Sequence, residues 1–512
     1  MPSKRVTFCL LFAVIGLAAA SAAVSTAVST SDEQQILHAL NRLTWGPRAG
    51  DMEAVSETGV RRWIERQLHP ESIVENPVLL EKLAMLDTLN LSQPELAARY
   101  PLRRAVRAKA DVRTRRPAEK PEEFVARLEA MSAQDQVAEL RDLAPGVLKR
   151  LYPAASPGLR RQIQMLSGPA QVIRQDLVQA KLLRAVYSNR QLEDVLTDFW
   201  YNHFNVYLNK GADKQLVTAY ERDVIRPGVL GKFRDLLVAT AQSPAMLFYL
   251  DNWRSTVANG GPAGGKRTGL NENFGRELLE LHTLGVDGGY SQQDVTEVAR
   301  CFTGWTIRDV QSGARFFFNP RLHDKSEKHV MGVTIAAGRG MEDGLQVLEI
   351  LARHPATARF ISRELAVRFV SDDPPAALVE KMSRSFLASD GDLRTVMKTM
   401  FEAPEFWDAG GFRTRVKSPL ELVASALRAT GAEIDYTFSL ASTLEQMGEP
   451  LYRKAEPTGY PNRGTEWLNS ASLVARMNFG IALAGNHLAG IIVPAEQAAK
   501  GTVFGSPEFQ RK

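Results

Sequence analysis

The stretch LNENFGRELLELHTLGV, residues Leu270–Val286, predicts a helix whose apolar face contains a glutamate. When successive residues are placed about 100° apart, its leucines and Phe274 form one face. Glu277 falls inside that face, and Glu280 lies at its edge. Because charged side chains are rarely fully buried unless they are paired, the sequence predicts both a helix here and a partner for Glu277.

Working outward, a 3.6-residue apolar period runs through most of the chain, and alternating apolar and polar runs are scarce. The segment WTIRDVQSGARFFFNP, which starts at Trp305, is the exception. It predicts a β-hairpin whose turn includes Gln311–Ala314. We therefore predict a mainly α fold, a large multi-helix globule with a small β-hairpin near residues 305–319.

The first residues have the pattern of a secretory signal peptide. Lys4 and Arg5 precede an apolar run and then small residues, so residues 1–23 are expected to be removed on export. The apolar run is too short to span a membrane comfortably, and the rest of the sequence contains no longer one. We expect a periplasmic or secreted protein without a membrane span after signal removal.

The mature chain is expected to form one helical domain over residues 32–490, followed by a C-terminal tail over residues 491–512. A Pro-, Arg- and Glu-rich variable insert is predicted at about residues 71–160. The chain of 512 residues is 44% hydrophobic and 24% charged, which is typical of a globular protein and not of a disordered one. Removing the signal leaves Cys301 as the one cysteine, so no intramolecular disulfide is expected.

The net charge of +5 is unevenly distributed. The stretch RYPLRRAVRAKADVRTRR, Arg99–Arg116, contains many basic residues and a single acid, Asp111. It is either a solvated helix and loop or a contact with an anionic polymer or a membrane surface. Since no nucleic-acid-binding motif accompanies it, no nucleic-acid partner is expected.

Two further helices place an ionisable residue in an apolar face. His203 continues the apolar stripe of QLEDVLTDFWYNHFNV, and Glu221 lies in the apolar face of the next helix. Together with Glu277 they predict an internal polar cluster, with Arg226 and Arg276 as counter-charges because buried charge must be paired. Such a cluster is either a structural ion-pair network or a functional cleft.

His323 and Asp324 follow the predicted hairpin, and His329 lies close by in the sequence. Histidine and carboxylate neighbours can bind zinc or iron. The sequence contains no HExxH, CxxC or carboxylate-bridge ExxH motif, so metal and cofactor use stay open.

Several motifs together resemble the bacterial domain of unknown function 1800 family. In chain order they are HALNRLTWGPRAGD, FWYNHFNV, YERDVIRPGVLGKFRDLLVATAQSPAMLFYLDN, NENFGRELLELHTLGVDGGYSQQDVTEVARCFTGWT, HDKSEKHVMG and MGEPLYRKAEPTGYPNRGTEWLNSASLVARMNF. The resemblance covers about residues 35–490. It implies an exported bacterial protein, largely helical, often encoded beside a sulfatase-like partner with a domain of unknown function 1501. It implies no settled activity.

Carried over by position, the family's signature gives the candidate site residues. The candidate catalytic residues are Glu277, His203 and Glu280. The candidate binding residues are Trp200, Asn202, Glu221, Arg226, Asp251, Asn271, Glu272, Asn273, Arg276, Trp305, His323 and Asp324. His282 stands where relatives usually have an aromatic residue, which argues against a catalytic role for it.

Two hypotheses follow. The protein is either a helical scaffold or partner subunit whose polar cluster fixes the register of its helices, or an extracellular hydrolase acting on a polymer such as a glycan. In the hydrolase, Glu277 with a pKa raised by burial would be the general acid and Glu280 the second carboxylate. Both hypotheses expect Glu277 to be largely buried and within ~4 Å of an arginine or His203.

Overall fold

The computed structural model describes most of the chain after its N-terminal segment. The described residues are 30–102, 119–141, 143–257, 269–408, 411–498 and 501–512. The predicted signal peptide lies outside them, as does most of the basic stretch Arg99–Arg116. Within the described ranges, no helix is both long enough and apolar enough to cross a membrane.

The fold is mainly helical, as the sequence predicts. The helices before the central block are α1 (Thr30–Leu43), α2 (Asp51–Thr58), α3 (Val60–Gln67), α4 (Pro77–Ala84), α5 (Gln93–Arg99), α6 (Pro121–Glu129), α7 (Ala133–Arg141), α8 (Pro145–Leu151) and α9 (Pro157–Ser167). Those of the central block are α10 (Ala170–Tyr187), α11 (Gln191–His203), α12 (Asp213–Ala219), α13 (Arg226–Gly228), α14 (Phe233–Gln242), α15 (Pro244–Tyr249), α16 (Glu272–Glu277) and α17 (Gln292–Cys301).

The C-terminal part is helical as well. Its helices are α18 (Glu342–Ala352), α19 (Pro355–Phe369), α20 (Ala376–Ala388), α21 (Leu393–Glu402), α22 (Pro419–Thr430), α23 (Phe438–Gln446), α24 (Ser470–Ala484) and α25 (Ala495–Ala498). Two π-helical turns, Tyr220–Ile225 and Leu278–Thr283, continue α12 and α16. A π turn holds one more residue than an α turn and is often found at functional sites.

In the described part of the chain, three small antiparallel sheets complete the fold. Strands β1 (Trp305–Arg308) and β2 (Arg315–Phe318) form the predicted hairpin, in which Trp305 pairs with Phe318 and Arg308 with Arg315. The other strands are β3 (Lys328–Val330) with β4 (Val333–Ile335), and β5 (Glu433–Ile434) with β6 (Ile491–Ile492).

The helix ends follow ordinary capping chemistry. Ser291 begins α17 by accepting a hydrogen bond from the Asp294 backbone, and the Asp294 carboxylate accepts one from the Ser291 backbone at 2.8 Å. Ser418 and Glu421 form the same reciprocal pair at the start of α22. These boxes satisfy backbone N–H groups that a helix cannot pair internally.

One large core holds most of the buried apolar side chains, and it extends from α1 to the C-terminal helices. The part predicted as a variable insert is helical where it is described. Residues between Phe124 and Ile163 bury a small core of their own, separate from the large one. Leu79, Leu86 and Leu89, which also lie within residues 71–160, belong to the large core, so only the later part of the insert has a core of its own.

The residues predicted as a C-terminal tail pack against the body of the protein. β6 pairs with β5, and the backbone N–H of Arg415 donates to the Lys512 carbonyl at 3.2 Å. The Lys512 side chain is buried beside the Glu421 carboxylate. Residues near 491 are therefore fixed to β5, which follows α22, and residues near 512 to α22 and the segment before it.

Candidate functional site

Three carboxylates converge on Arg226 at the start of α13. Its Nη1 lies 2.6 Å from Asp194 Oδ1 and 3.9 Å from Glu193 Oε2, and its Nη2 lies 3.8 Å from Glu221 Oε1. Burial lowers the pKa of Arg226, but Asp194 and Glu221 raise it more, so its pKa lies above the usual value. Arg226, which the sequence predicts as a counter-charge of the polar cluster, therefore lies beside Glu221 inside a larger network.

Glu221 lies buried in the first π turn and has a second partner. The Tyr452 hydroxyl, also buried, donates to Glu221 Oε2 at 2.6 Å. Burial and the neighbouring Glu221 carboxylate raise the pKa of Tyr452 well above its usual value. The Glu221 carboxylate therefore joins the central helices to Tyr452, which lies in the last of the family motifs.

His203, at the end of α11, does not meet Glu277. Its Nε2 lies 3.2 Å from the His282 carbonyl oxygen, which requires Nε2–H to donate. The rings of Trp200, Phe204 and Phe360 surround the imidazole. Burial lowers the pKa of His203 to about 4 despite that hydrogen bond, so the ring is neutral at pH 7.

Glu277 is half-buried, and among the described residues it forms neither an ion pair nor a hydrogen bond. The expectation that it pairs with an arginine or His203 is therefore wrong. Burial first, and then the nearby Glu280, raise the pKa of Glu277, while Arg276 lowers it. Glu280 is partly buried and accepts a hydrogen bond from the Tyr290 hydroxyl at 3.3 Å.

The packing of α16 explains why Glu277 is not fully buried. Gly275 lets α17 approach closely, because a Cβ at that position would lie 2.9 Å from the Val295 carbonyl oxygen. The π turn then directs His282 inward and leaves Leu281 only partly buried. The buried face is therefore centred on the Gly275 side of the helix, and Glu277 lies outside it.

The remaining polar residues of α16 bind it to α17. Glu272 accepts hydrogen bonds from Thr296 Oγ1 and Gln292 Nε2, each at 3.0 Å. Arg276 Nη2 donates to Gln292 Oε1 at 2.8 Å instead of pairing with Glu277. Both signature residues thus have a structural partner on the neighbouring helix.

The turn that precedes α16 is held by an asparagine cap. Asn271 Oδ1 accepts from the Asn273 backbone N–H at 2.9 Å, and Asn271 Nδ2 donates to the Leu250 carbonyl at 2.8 Å.

Two further signature residues lie at the surface. Asp251 is exposed, adopts a positive φ of 60° and pairs with Lys210 Nζ at 2.8 Å. The Asn273 side chain is exposed.

Both signature tryptophans are core residues. Trp200 is fully buried and donates Nε1–H to the Val229 carbonyl at 3.2 Å. Trp305 is fully buried in β1, and its Nε1 has no partner within the described ranges. Its ring packs on Gly344, where a Cβ would lie 2.6 Å away. Neither ring is placed to bind a ligand.

His323 and Asp324 lie in a separate ion-pair cluster beside β3. His323 Nδ1 lies 2.9 Å from the Thr303 carbonyl oxygen, and its Nε2 lies 3.2 Å from Asp343 Oδ2. Asp324 pairs with Arg300 Nε at 2.8 Å. Burial raises the pKa of Asp324, but Arg300 and Ser326 lower it further, to about 2.

The structure therefore separates the predicted residues into several places. In the described part of the chain, no group of three or more His, Cys, Asp or Glu side chains is arranged to hold a metal ion.

A polar cavity of ≈ 50 Å³ lies between α10, α11, α19, α22 and residues 449–467. Among the predicted residues, only Asn202 lines it. Asn202 Nδ2 donates to the Tyr460 carbonyl at 2.8 Å and its Oδ1 accepts from the Tyr460 backbone at 2.6 Å, which fixes the cavity wall. A cavity of this size holds a few water molecules and not a sugar ring.

The charged side chains around this cavity are paired with one another. Lys181 Nζ lies 2.6 Å from Asp198 Oδ1 and 4.5 Å from the centre of the Tyr452 ring. Burial lowers the pKa of Lys181, but Asp198 and Glu221 raise it more. The Lys181–Asp198 pair thus lines this wall of the cavity, and Tyr452 connects the wall to Glu221.

The opposite wall contains a second buried pair and one uncharged acid. Arg368 forms an ion pair with Glu421, and Arg415 Nε lies 3.4 Å from Asp372 Oδ1. Burial and the nearby Asp198 raise the pKa of Glu449 to about 8. Glu449 is therefore mostly protonated at pH 7, and it accepts a hydrogen bond from the Leu420 backbone at 2.8 Å.

Lys181, Arg415 and Glu449 were not predicted from the sequence. Lys181 lies in the apolar pattern of α10, so the helical periodicity that marks His203 and Glu221 also marks this lysine. Arg415 and Glu449 lie in loops, where helical periodicity gives no signal.

With the geometry established, comparison with known proteins identifies the family. The family model described as Protein of unknown function (DUF1800) matches residues 38–510, and the chain belongs to this family. No curated protein matches the chain, and no solved structure does.

Proposed function

We propose that the protein is an exported helical scaffold or partner subunit, and that its internal polar network fixes the packing of its helices. One observation carries the proposal. The buried charges around Arg226 pair with one another, with Arg226 shared among Asp194, Glu193 and Glu221. Because these charges are paired inside the protein, the network favours a structural role over proton transfer.

The size of the cavity supports the same proposal. At ≈ 50 Å³ it accommodates a few water molecules, so the space beside the polar network does not admit a sugar unit, while pockets of ≈ 250–280 Å³ lie elsewhere on the protein. A sulfatase-like protein encoded nearby is the partner that the family resemblance implies.

One observation favours a hydrolase as the second candidate function. Glu277 and Glu280 lie one turn apart, both are partly exposed, and burial raises the pKa of Glu277. A general acid paired with a second carboxylate has this character.

Hydrolysis assays of labelled polysaccharides and aryl glycosides compare the two candidates. The wild-type chain, Glu277→Gln and the control Glu402→Gln, an exposed position on α21, are assayed together. We expect no turnover above background from any of them. Turnover that Glu277→Gln abolishes and Glu402→Gln preserves would establish the hydrolase and refute the scaffold.

Co-expression with the sulfatase-like neighbour tests the partner. The scaffold proposal expects the two chains to co-elute in size-exclusion chromatography at a mass equal to their sum. Separate elution at every concentration would contradict a partner subunit.

A further inference from the structure

Helix α24 is apolar on its outer face as well as its inner one. Ser472, Arg476, Phe479 and Leu483 face the protein and are buried. On the opposite side, four aliphatic side chains stay in contact with water: Leu473 is 41% exposed, Val474 57%, Met477 54% and Ile481 61%. A helix that is apolar all round is normally buried all round.

The four exposed side chains form one continuous strip. At about 100° per residue, Leu473, Met477, Ile481 and Val474 lie within an arc of about 100°, which is the width of an ordinary core-facing stripe. We call these four residues the α24 strip. Leu473, Met477 and Ile481 are spaced four residues apart and form a single ridge along the helix.

The strip contains no charged group. The one charged residue of α24 is Arg476, and it is buried on the inner face, where its Nη2 donates to the Lys417 carbonyl at 3.0 Å. Helices that lie on membrane surfaces instead carry lysine and arginine on their polar face. The composition of α24 therefore favours a protein surface as the occupant.

We propose that the α24 strip is the interface at which two copies of this chain associate about a two-fold axis. This inference concerns a different face from the polar network and goes beyond the scaffold proposal.

The strip is complementary to itself. Ridges spaced four residues apart interdigitate when two helices cross at about −50°. With the crossing point at Met477, Leu473 of one copy meets Ile481 of the other, and the two-fold axis repeats that contact. Because the strip is uncharged, this arrangement places no like charges opposite each other.

The exposed area is of the right order for a weak dimer. About half of each strip side chain is exposed, so each copy presents a few hundred Å² of apolar surface, a size that marks interaction sites. Val503, 53% exposed, belongs to the turn Gly501–Gly505, which packs against α24 at Gly480. Two such surfaces approach the roughly 1,000 Å² that a specific interface needs.

Sedimentation of the full chain from about 1 to 100 µM tests the proposal, since interfaces of this size associate in the micromolar range. We expect a concentration-dependent dimer. Ile481→Glu should weaken association at least tenfold without changing Tm, because the side chain is exposed in the monomer. The control Leu387→Glu replaces an exposed leucine on α20 and should leave the dimer intact.

Cross-linking locates the interface. In a Cys9→Ser background, Met477→Cys should yield a covalent dimer with a short bis-maleimide, whereas Leu387→Cys should not. Cys301 is buried and does not interfere. A monomer at every concentration would overturn the proposal, as would a dimer that Ile481→Glu leaves unchanged. Flotation of a monomeric chain with lipid vesicles, lost in Ile481→Glu, would assign the strip to a membrane instead.

Discussion

The Tyr452 hydroxyl donates a 2.6 Å hydrogen bond to the Glu221 carboxylate, 231 residues earlier in the chain. Glu221 in turn lies 3.8 Å from Arg226, which pairs with Asp194 on α11. One buried carboxylate thus joins two segments that are far apart in the sequence, and the stability of the fold should depend on it.

Removing the Tyr452 hydroxyl should destabilise the protein. Tyr452→Phe leaves the buried Glu221 without a charge-assisted hydrogen bond, which should cost about 1.5–3 kcal/mol in the free energy of unfolding. Urea denaturation measures the change. Tyr290→Phe, which removes a 3.3 Å contact with the partly exposed Glu280, is the control and should cost less than about 1 kcal/mol. Equal losses in both variants would refute a special role for the buried bond.

Replacing Arg226 should have a larger effect. Arg226→Met leaves Asp194 and Glu221 buried without a cation, which should cost about 3–5 kcal/mol. Arg234→Met removes an exposed ion pair with Glu349 and should cost less than about 1 kcal/mol. Thermal and chemical unfolding of both variants at pH 7 measure the difference. A loss at Arg226 as small as that at Arg234 would mean that the network does not stabilise the fold.

Glu277→Gln should be tolerated, and slightly stabilising at pH 7. The pKa of Glu277 is raised in the folded state, so the wild-type chain loses stability as the pH rises above the unfolded value. Glutamine removes that loss, and the change should stay below about 1 kcal/mol because the side chain is half-exposed. Tm measured at pH 4 and pH 7 checks the sign. A large destabilisation would indicate a partner for Glu277 outside the described residues.

Glu449 should make the free energy of unfolding decrease as the pH rises from 5 to 8. Its pKa is about 8 when folded and about 4.5 when unfolded. Between these values the folded state holds a proton that the unfolded state lacks, so stability decreases as the pH rises. Glu449→Gln should therefore gain stability over the wild type from pH 5 to pH 8 and level off above. Glu445→Gln, a partly exposed neighbour, should show no such trend.

His282 should make the free energy of unfolding decrease as the pH falls, which is the opposite of the effect of Glu449. Burial lowers its pKa from 6.5 to about 3, so between these values only the unfolded state binds the proton. Stability is then lost as the pH falls below 6.5. His282→Phe should lose less stability than the wild type between pH 7 and pH 5. The exposed His329→Phe serves as the control, and parallel pH profiles for His282→Phe and the wild type would contradict the assignment.

The structural features that were predicted correctly from the sequence are those that depend on interactions between residues close together in the chain. The helices and the β1–β2 hairpin depend on residues within a few positions of each other. The pairing of Glu221 with Arg226 also spans only five residues. That Glu277 lies outside the buried face could not be predicted in this way, because the buried side of α16 depends on how closely α17 approaches Gly275. Helical angles alone do not contain that information.

The set of residues that lines the cavity could not be predicted from the sequence for a related reason. Lys181, Arg415 and Glu449 come from separate segments, and only the packed fold brings them around one space. The raised pKa of Glu449 depends on that packing, and its position in a loop gives no periodic signal.

The π turn at Leu278–Thr283 has a consequence for how this helix tolerates changes in length. It holds one residue more than a regular turn, as the 2.9 Å bond from the Leu284 N–H to the Leu279 carbonyl shows. Deleting Glu280 should let the turn close as an ordinary α turn with His282 still directed inward. A deletion is normally among the most damaging changes in a helix. Here the deletion should change the geometry of one turn only and leave the rest of the helix in place. Homologous chains can therefore differ by a single residue at Leu278–Thr283 without loss of the fold.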